Sequence, residues 1–335
     1  MNNISYLALT LKNFGEPATA LELVELPSEE PKNSEAIVSM DAVGMHIADG
    51  LFVRGREMIT RTMPCVPGFE GVGTVSKIGT GVKNLKEGDK VLLPMGTGSM
   101  RQELKIHASQ LTKVSKPYAP DEQLALITVN GFTAYFLLKD YRKLKQNDWI
   151  IQNAANSNVG RYLIALAKQE GIKTINIVRR KEVAKELKKI GGTEVIISSD
   201  EFPSKYLSKF LKRKIMLGID AVAGDATENL AICLADGSLL VNYGTVTKRP
   251  CHISFWTMFR KDISLTGMST LNGFKTRSKK RLIEIHKHLA KLANQKLLQA
   301  KIAKKYSFED YLLAYDHIDK TGSERDGKVV LLPNH

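Results

Sequence analysis

The apolar positions of this 335-residue chain change period near Trp149. Ahead of about residue 120 they fall in short runs divided by Gly, Pro and charged turns: "AIVSMDAVGM", "GVGTVSKIG", "DKVLLP" and "QLTKVS". Runs of this kind predict short strands. The first long apolar period, "DEQLALITVNGFTAYFLLKDY", predicts a helix with Asp121 as its N-cap. From Trp149 onward, apolar stretches alternate with amphipathic ones. "WIIQNA", "TINIV", "EVIIS", "GIDAVAG", "SLLVNYG" and "ISLTGM" read as six strands, each apolar throughout. Between the first of them, Val159, Leu163, Ile164 and Ala167 share one helical face, and Val183, Leu187 and Ile190 share another. Strands separated by helix or loop in this way predict an α/β fold, a doubly wound parallel sheet buried on both faces.

The tail returns to mixed character. A helix is expected around Ser278 to Leu298, with Leu282, Ile285, Leu289 and Leu292 on one face. A second is expected over "SFEDYLLAYDHI", opened by a capping box from Ser307 to Asp310, and "KVVLLP" closes the chain as a strand. A β-rich front and a short tail flank the nucleotide-type middle. The two ends are therefore expected to join, with 1–124 and 270–335 as one domain and 125–269 as the other.

The first strand of the middle runs into "NAANSNVG", Asn153 to Gly160. A strand-to-helix turn binds pyrophosphate because N–H groups at the helix start point outward and the dipole favours an anion. Gly160 stands at the helix-packing position, Ser157 where a glycine is often found, and Asn158 next, a residue type that tolerates positive φ. By itself the turn fits either a pyrophosphate site or an ordinary connection. The second strand adds information, because "TINIVRRK" ends on Arg179, Arg180 and Lys181 with no acid. An NAD site has Asp or Glu there for the ribose hydroxyls, whereas arginine suits the 2′-phosphate of NADP(H). The alternative is that these cations simply open the following helix, against its dipole.

Composition narrows the classes. Cys65, Cys233 and Cys251 lie far apart without a CxxC pair, which argues against a disulfide framework or a structural zinc lobe and for a reducing cytoplasm. No apolar run reaches about 18 residues, so no membrane span is expected, and the N-terminus reads as neither signal nor transit peptide. The net charge of +14 comes largely from "KEVAKELKK", "KFLKRK", "KTRSKKR" and "KIAKK". Charges alternate there with apolar residues, as on solvated helix faces. The competing reading is a phosphate-backbone footprint: a nucleotide-responsive protein that binds RNA or an acidic partner.

"IIQNAANSNVGRYLIALAKQEGIKTINIVRR" resembles the cofactor segment of the medium-chain dehydrogenase/reductase superfamily, and most of all its trans-2-enoyl thioester reductase branch. "PGFEGVGTVSKIGTGVKNLKEGDKVL", "VNGFTAY", "LLVNYGTVTKRP" and "GKVVLLP" extend the similarity along nearly the whole chain. The resemblance implies a mainly β GroES-like catalytic domain, a Rossmann domain and a homodimer joined along the Rossmann edge at "SLLVNYG" and "ISLTGM". It implies NADPH contacts at Asn130, at Asn156, Ser157, Asn158 and Val159, and at Arg179, Arg180 and Lys181. Further contacts would come from Tyr243, Gly244, Thr245 and Val246, from Met268, Ser269 and Thr270, and from Lys328. The branch has an acid where Arg180 stands, so this pocket is more cationic.

The superfamily also contains zinc enzymes. Catalytic zinc would need Cys at His46 and His at Phe69, with a third ligand near "VNGF"; Phe69 cannot ligate and Glu70 alone makes no site, so no metal is expected. A zinc-free member of this type reduces a quinone or the β-carbon of an enoyl thioester. The enoyl branch places a tyrosine after D-x-x-x-x-x-G-x-Y; here Asp49 and Gly55 match but Glu57 replaces the tyrosine, and Met100 replaces the tryptophan of G-T-W-R-T-E. Three other residues are candidate catalytic groups. His46 stands where zinc-free members carry Asn, and a pKa of about 6.5 suits proton donation. Tyr135 is a second candidate or a core residue, and Arg54 a third or a surface charge. Since a reduced quinone can take protons from water, quinone is the first expected acceptor and enoyl thioester the second.

Overall fold

Alternating apolar residues build the front of the chain as strands β1 (Ser5–Leu11), β2 (Leu21–Pro27), β3 (Glu35–Met45), β4 (Val72–Ile78), β5 (Lys90–Leu92), β6 (Glu103–His107) and β7 (Thr112–Lys113). The middle adds β8 (Trp149–Gln152), β9 (Lys173–Val178), β10 (Glu194–Ile197), β11 (Leu217–Asp220), β12 (Leu239–Asn242) and β13 (Ser264–Gly267), and the tail β14 (Ile302–Ser307) and β15 (Lys328–Leu332). The structure is a computed structural model that describes residues 5–57, 59, 61–199 and 202–334. The chain divides into two compact units, Met1–Val129 with Ser278–His335, and Asn130–Arg277.

In the first unit one sheet runs in the order β14-β15-β3-β4-β5-β7, with β6 also on β3, and β1 and β2 form a separate hairpin. Strand β3 is the organiser, pairing antiparallel with β4, β6 and β15. Its register sets Val329 opposite Met45, so Lys328 at the start of β15 falls beside His46, the residue after β3. The core beneath is aliphatic and aromatic, including Leu9, Met40, Met45, Phe52, Phe69 and Tyr315.

In the second unit all six strands are parallel, in the order β10-β9-β8-β11-β12-β13. The chain winds outward from β8 to β10, crosses to β11 and winds outward again to β13. Crossover helices bury the sheet, as expected of a doubly wound fold. The helix Asn158–Gln169 buries Leu163, Ile164 and Ala167, and the helix Val183–Lys189 buries Val183 and Leu187.

Several local expectations are corrected. The strands are not apolar throughout: Gln152, Thr174 and Asn176 are buried, and they satisfy one another, Gln152 Nε2 donating to Asn176 Oδ1 at 2.8 Å and Asn176 Nδ2 to Thr174 Oγ1 at 2.9 Å. A buried amide is tolerated when its partners are in place. Nor is β13 covered; it is the edge strand, and Leu265 and its neighbours are exposed. Asp121 is the first residue inside its helix rather than the cap, and its carboxylate meets Lys90 Nζ at 2.6 Å. That helix stops at Leu124, and a wider π-type turn, Ile127–Gly131, precedes the helix Phe132–Lys139. In the tail the helix begins only at Tyr311, because Ser307 completes β14 and its hydroxyl donates to Asp310 Oδ2 at 3.0 Å rather than capping. The long helix expected around Ser278 to Leu298 spans Lys279–Asn294, with Ser278 as its cap.

The turn after β8 has no positive φ at Asn158. That conformation falls on Ala154, at φ 45°, and Asn158 is already helical. Gly160 is needed for close approach, since a Cβ there would lie 2.7 Å from the Ala155 carbonyl oxygen. Gly160→Ala is expected to destabilise the chain by roughly 1–3 kcal/mol through overpacking against backbone. A lowered midpoint in denaturant unfolding of the full chain checks this, and an unchanged midpoint refutes it.

Candidate active site

Two polar constellations stand out, one in each unit. In the first unit, His46 leaves β3 with extended backbone and caps the helix Ile47–Val53. Its backbone N–H donates to Asp49 Oδ2 at 2.8 Å, which ties the helix start to the strand end. Both ring nitrogens are engaged: Nε2 lies 2.5 Å from Glu70 Oε1, and Lys328 Nζ lies 2.8 Å from Nδ1. The second oxygen of Glu70 accepts from Val129 N–H at 2.6 Å. His46 is 7% exposed, Asp49 and Glu70 fully buried, and Lys328 mostly buried.

The protons follow from the contacts. A lysine ammonium can only donate, so Nδ1 accepts from Lys328, the ring proton sits on Nε2, and Glu70 accepts it. Burial, then the cations Lys328 and Arg325, drives the His46 pKa well below 6.5, so the ring is neutral near pH 7. Burial lifts Asp49 to about 7 and lifts Glu70 well above the usual carboxylate range, opposed by the Val129 N–H and by Lys328. Burial also lowers Lys328 to about 8, Glu70 pulling the other way. This overturns the expectation that His46 offers a proton by titrating near 6.5. It is held neutral, and neither nitrogen is free to donate elsewhere.

The other two catalytic candidates are placed differently. Arg54 is committed to two carboxylates, Glu16 at 2.7 Å and Asp319 at 2.6 Å. That clamp ties the end of the helix to Glu16 and Asp319. Tyr135 is half-buried on the helix Phe132–Lys139, its ring edge-on to Phe136.

In the second unit the turn after β8 and the ends of β9, β11 and β12 converge. Ser157 caps the helix Asn158–Gln169, its hydroxyl accepting from Gly160 N–H at 3.1 Å. The Tyr243 phenol also bonds Ser157, and burial pushes its pKa up to about 12. Asn156 accepts from Arg161 Nε through its carbonyl at 3.2 Å, and Val159 is half-buried in the helix's first turn. Asn158 is buried, and neither side-chain polar atom has a hydrogen-bond partner among the described residues. Arg179, Arg180 and Lys181 follow β9 directly, ahead of the helix that starts at Val183, so they are not its N-terminal residues; Arg179 and Lys181 are exposed. Asn130 is buried, and Gly244, Thr245 and Val246 form the outward loop after β12. Met268 is buried after β13, Ser269 caps the helix Thr270–Lys275, and Thr270 Oγ1 lies 2.7 Å from Thr133 Oγ1. Lys328 alone of the expected cofactor residues lies in the other constellation.

Sequence reasoning missed the residue that holds these loops together. Asp220, fully buried at the end of β11, accepts from Asn153 Nδ2 at 2.6 Å, Val222 N at 2.9 Å, Thr227 Oγ1 at 2.7 Å and Asn242 Nδ2 at 3.1 Å. An acid inside the apolar run "GIDAVAG" was the available signal. Glu70, dismissed as a lone ligand, is likewise central. Among the described residues, no cluster of three or more His, Cys, Asp or Glu side chains is placed to hold a metal ion.

Residues 32–137 match the alcohol dehydrogenase GroES-like domain. The chain is 32% identical over 333 residues to the mitochondrial enoyl-acyl-carrier-protein reductase of Dictyostelium discoideum, covering 97% of this chain and 94% of that protein. A mutant form of the enoyl thioester reductase of Candida tropicalis has the same fold, with a TM-score of 0.87 at 24% identity over 98% of this chain and 100% of that one. The Escherichia coli quinone oxidoreductase complexed with NADPH gives 0.81 at 25% identity over the same shares. On this similarity along nearly its whole length, the chain belongs to the medium-chain dehydrogenase/reductase superfamily of oxidoreductases, in the zinc-free branch with the enoyl reductases and quinone oxidoreductases.

Proposed function

We propose that this chain is an NADPH-dependent reductase of α,β-unsaturated carbonyl compounds, with an enoyl thioester as acceptor. The nucleotide assignment rests on the end of β9, where Arg179, Arg180 and Lys181 stand with no carboxylate among them. Arginine there suits the 2′-phosphate. The residues fit the cofactor: Asn158 carries a buried amide without a partner among the described residues, at the start of a 12-residue helix, where N–H groups and dipole favour a pyrophosphate. Most of the net charge of +14 also falls within Asn130–Arg277. Bound NADPH would supply a hydride. This chain's own residues would orient it, Ser157 and Asn158 at the pyrophosphate and Arg179 at the 2′-phosphate.

The acceptor is argued from the buried Lys328–His46–Glu70 constellation. Quinone came first in the sequence reading because the branch's tyrosine is replaced by Glu57, which left no evident acid. A buried ammonium beside a neutral imidazole answers that objection, since enoyl reduction needs a group that meets the developing enolate. The curated relatives' names point the same way. Quinone remains the second reading, favoured by Glu57 itself. Crotonyl-CoA is expected to be reduced with a kcat/KM at least tenfold above any member of a quinone panel, NADPH oxidation being followed at 340 nm. The reverse ranking selects the quinone reading, and NADPH bound but oxidised by neither class sinks the enzyme assignment in favour of a binding role on RNA or an acidic partner.

Arg179→Gln is expected to weaken NADPH binding by roughly 10–100-fold, the loss of a charge-assisted contact of about 1.5–3 kcal/mol, and to leave NADH binding nearly unchanged. Fluorescence titration with both nucleotides reads this; equal losses for the two would refute the 2′-phosphate assignment.

A homodimer is proposed on the uncovered edge of the second unit. Strand β13 is exposed, and the helix Phe255–Lys261 ahead of it presents Phe255, Trp256 and Phe259, each more than 60% exposed and mutually packed. Contiguous aromatic surface of this kind marks an interface. The three cysteines are free, which fits a cytoplasmic location, although the curated relatives are named mitochondrial; no helix of the described residues is long and apolar enough to cross a membrane. Phe255→Asp with Phe259→Asp should convert a dimer to a monomer in sedimentation, and a wild-type monomer would refute this interface.

A further inference from the structure

We propose that Arg61 and Arg101 form a binding site for a phosphate group, over the glycine turns of the loop between β5 and β6. The site lies wholly within the first unit and does not depend on the reductase reading above. Three segments build it. Strand β1 is the backing: Leu11 N–H donates to the Cys65 carbonyl at 2.8 Å and Leu9 N–H to the Met100 carbonyl at 3.0 Å, so the segments that carry Arg61 and Arg101 are held against one strand. The loop is then tied to the segment before β4, Gly98 N–H donating to the Gly68 carbonyl at 3.1 Å and Gly96 N–H to that of Phe69 at 2.7 Å. Gly96 and Gly98 both take positive φ, 78° and 76°, which glycine adopts without strain. A Cβ on Gly98 would lie 3.1 Å from Nη1 of Arg61 and 3.4 Å from Nη2 of Arg101. Both guanidiniums therefore converge on a residue without a side chain.

The two charges are alike, and no carboxylate meets them. A guanidinium carries five N–H donors and no acceptor. Arg61 Nη1 donates to the Val66 carbonyl at 3.0 Å, Arg101 Nε donates to the Gly98 carbonyl at 2.9 Å, and the Arg101 side chain also bonds the Tyr6 hydroxyl. Neither arginine has an acidic partner among the described residues, whereas Arg54, Arg161, Arg213 and Arg277 each meet a carboxylate. Burial lowers the pKa of both, and Arg101 lowers that of Arg61 further. Taking a cation partly out of water without a counter-ion is costly, and a like charge beside it adds to the cost. An anion between the two relieves both penalties.

The donors select the anion. Each guanidinium presents a planar fork that matches phosphate oxygens in paired hydrogen bonds. A phosphate dianion balances both cations and fills both forks, whereas a single carboxylate balances one. Both arginines are half-buried and so keep surface in solvent, which gives a dissolved anion direct access. Inorganic phosphate and coenzyme A both carry such a group, and the test separates them.

Phenylglyoxal, which modifies reachable arginines, is applied to the full-length protein alone, with inorganic phosphate or with coenzyme A, and modified residues are mapped by mass spectrometry. Either anion should slow modification of Arg61 and Arg101 while the exposed Arg281 reacts as before. Protection by coenzyme A at least tenfold below the phosphate concentration assigns the site to the phosphates of a thioester carrier, and equal protection assigns it to the free anion. In calorimetry, Arg61→Gln with Arg101→Gln should weaken phosphate binding by roughly 10–100-fold. Arg61→Lys with Arg101→Lys, which keeps the charge but not the forks, should weaken it by a smaller factor. Lys287→Gln, at an exposed lysine on the helix Lys279–Asn294, should leave it unchanged. Equal modification of Arg61 and Arg101 with and without both anions overturns the site. A loss on Lys287→Gln as large as that on the arginine pair also overturns it, since binding would then be general charge attraction. The protection experiment uses the wild type and decides the matter whether or not the variants fold. Neither readout involves turnover, so their failure leaves the reductase reading standing, and failure of that reading leaves this site standing.

Discussion

The pairing of β15 with β3 is the constraint on which the first unit's buried polar constellation depends. It joins residues 282 positions apart in sequence, and its register alone brings Lys328 to His46. An ammonium is strongly disfavoured in such a place unless a counter-charge and hydrogen bonds meet it. Glu70 supplies the charge through His46. Gly44, one position before the end of β3, leaves the room: a Cβ there would lie 2.8 Å from Glu70 Oε1 and 2.6 Å from the Ala125 carbonyl oxygen. The glycine, the carboxylate, the imidazole and the ammonium thus form one unit. Removing one member leaves another buried and unpaired, which typically costs roughly 3–5 kcal/mol.

The second unit solves a related problem by different means. Its loops leave the C-terminal ends of parallel strands, the end at which open α/β sheets bind ligands. Such loops need an internal anchor if they are to hold their shape. Asp220 provides it by accepting from side chains or backbone of the turns after β8, β11 and β12 together. The turn after β8 holds its shape with a single glycine. Ala154 takes the left-handed conformation, Ser157 caps, and Gly160 remains because only a residue without Cβ fits against Ala155.

How much of this was legible in the sequence depended on whether the governing contact was local. The six parallel strands and their order class followed from periodicity, which records burial residue by residue. The start of the long helix near Ser278 was legible because what fixes it is local: the cap contact, to Arg281 N–H, is three residues away. Ser307 looked the same and was not, because β14 claimed it through pairing with distant β15. The buried Gln152–Asn176 pair hid within apolar runs, since its partners lie across strands. The candidate site divides in the same way. Arg179 could be found by counting from the turn, whereas the bond from Lys328 to His46 and the commitment of Arg54 to Glu16 and Asp319 are long-range facts with no sequence mark.

Two departures from the family pattern gain meaning when taken together. Glu57 stands where the enoyl branch has its tyrosine, and His46 where zinc-free members carry Asn. Asparagine cannot take the place of this imidazole, whose two nitrogens lie on opposite sides of a rigid ring and so transmit the charge of Glu70 to Lys328. Glu57 in turn adds negative charge that raises the Asp49 pKa, in a pocket where burial already disfavours ionised carboxylates. A tyrosine there would have been a neutral donor.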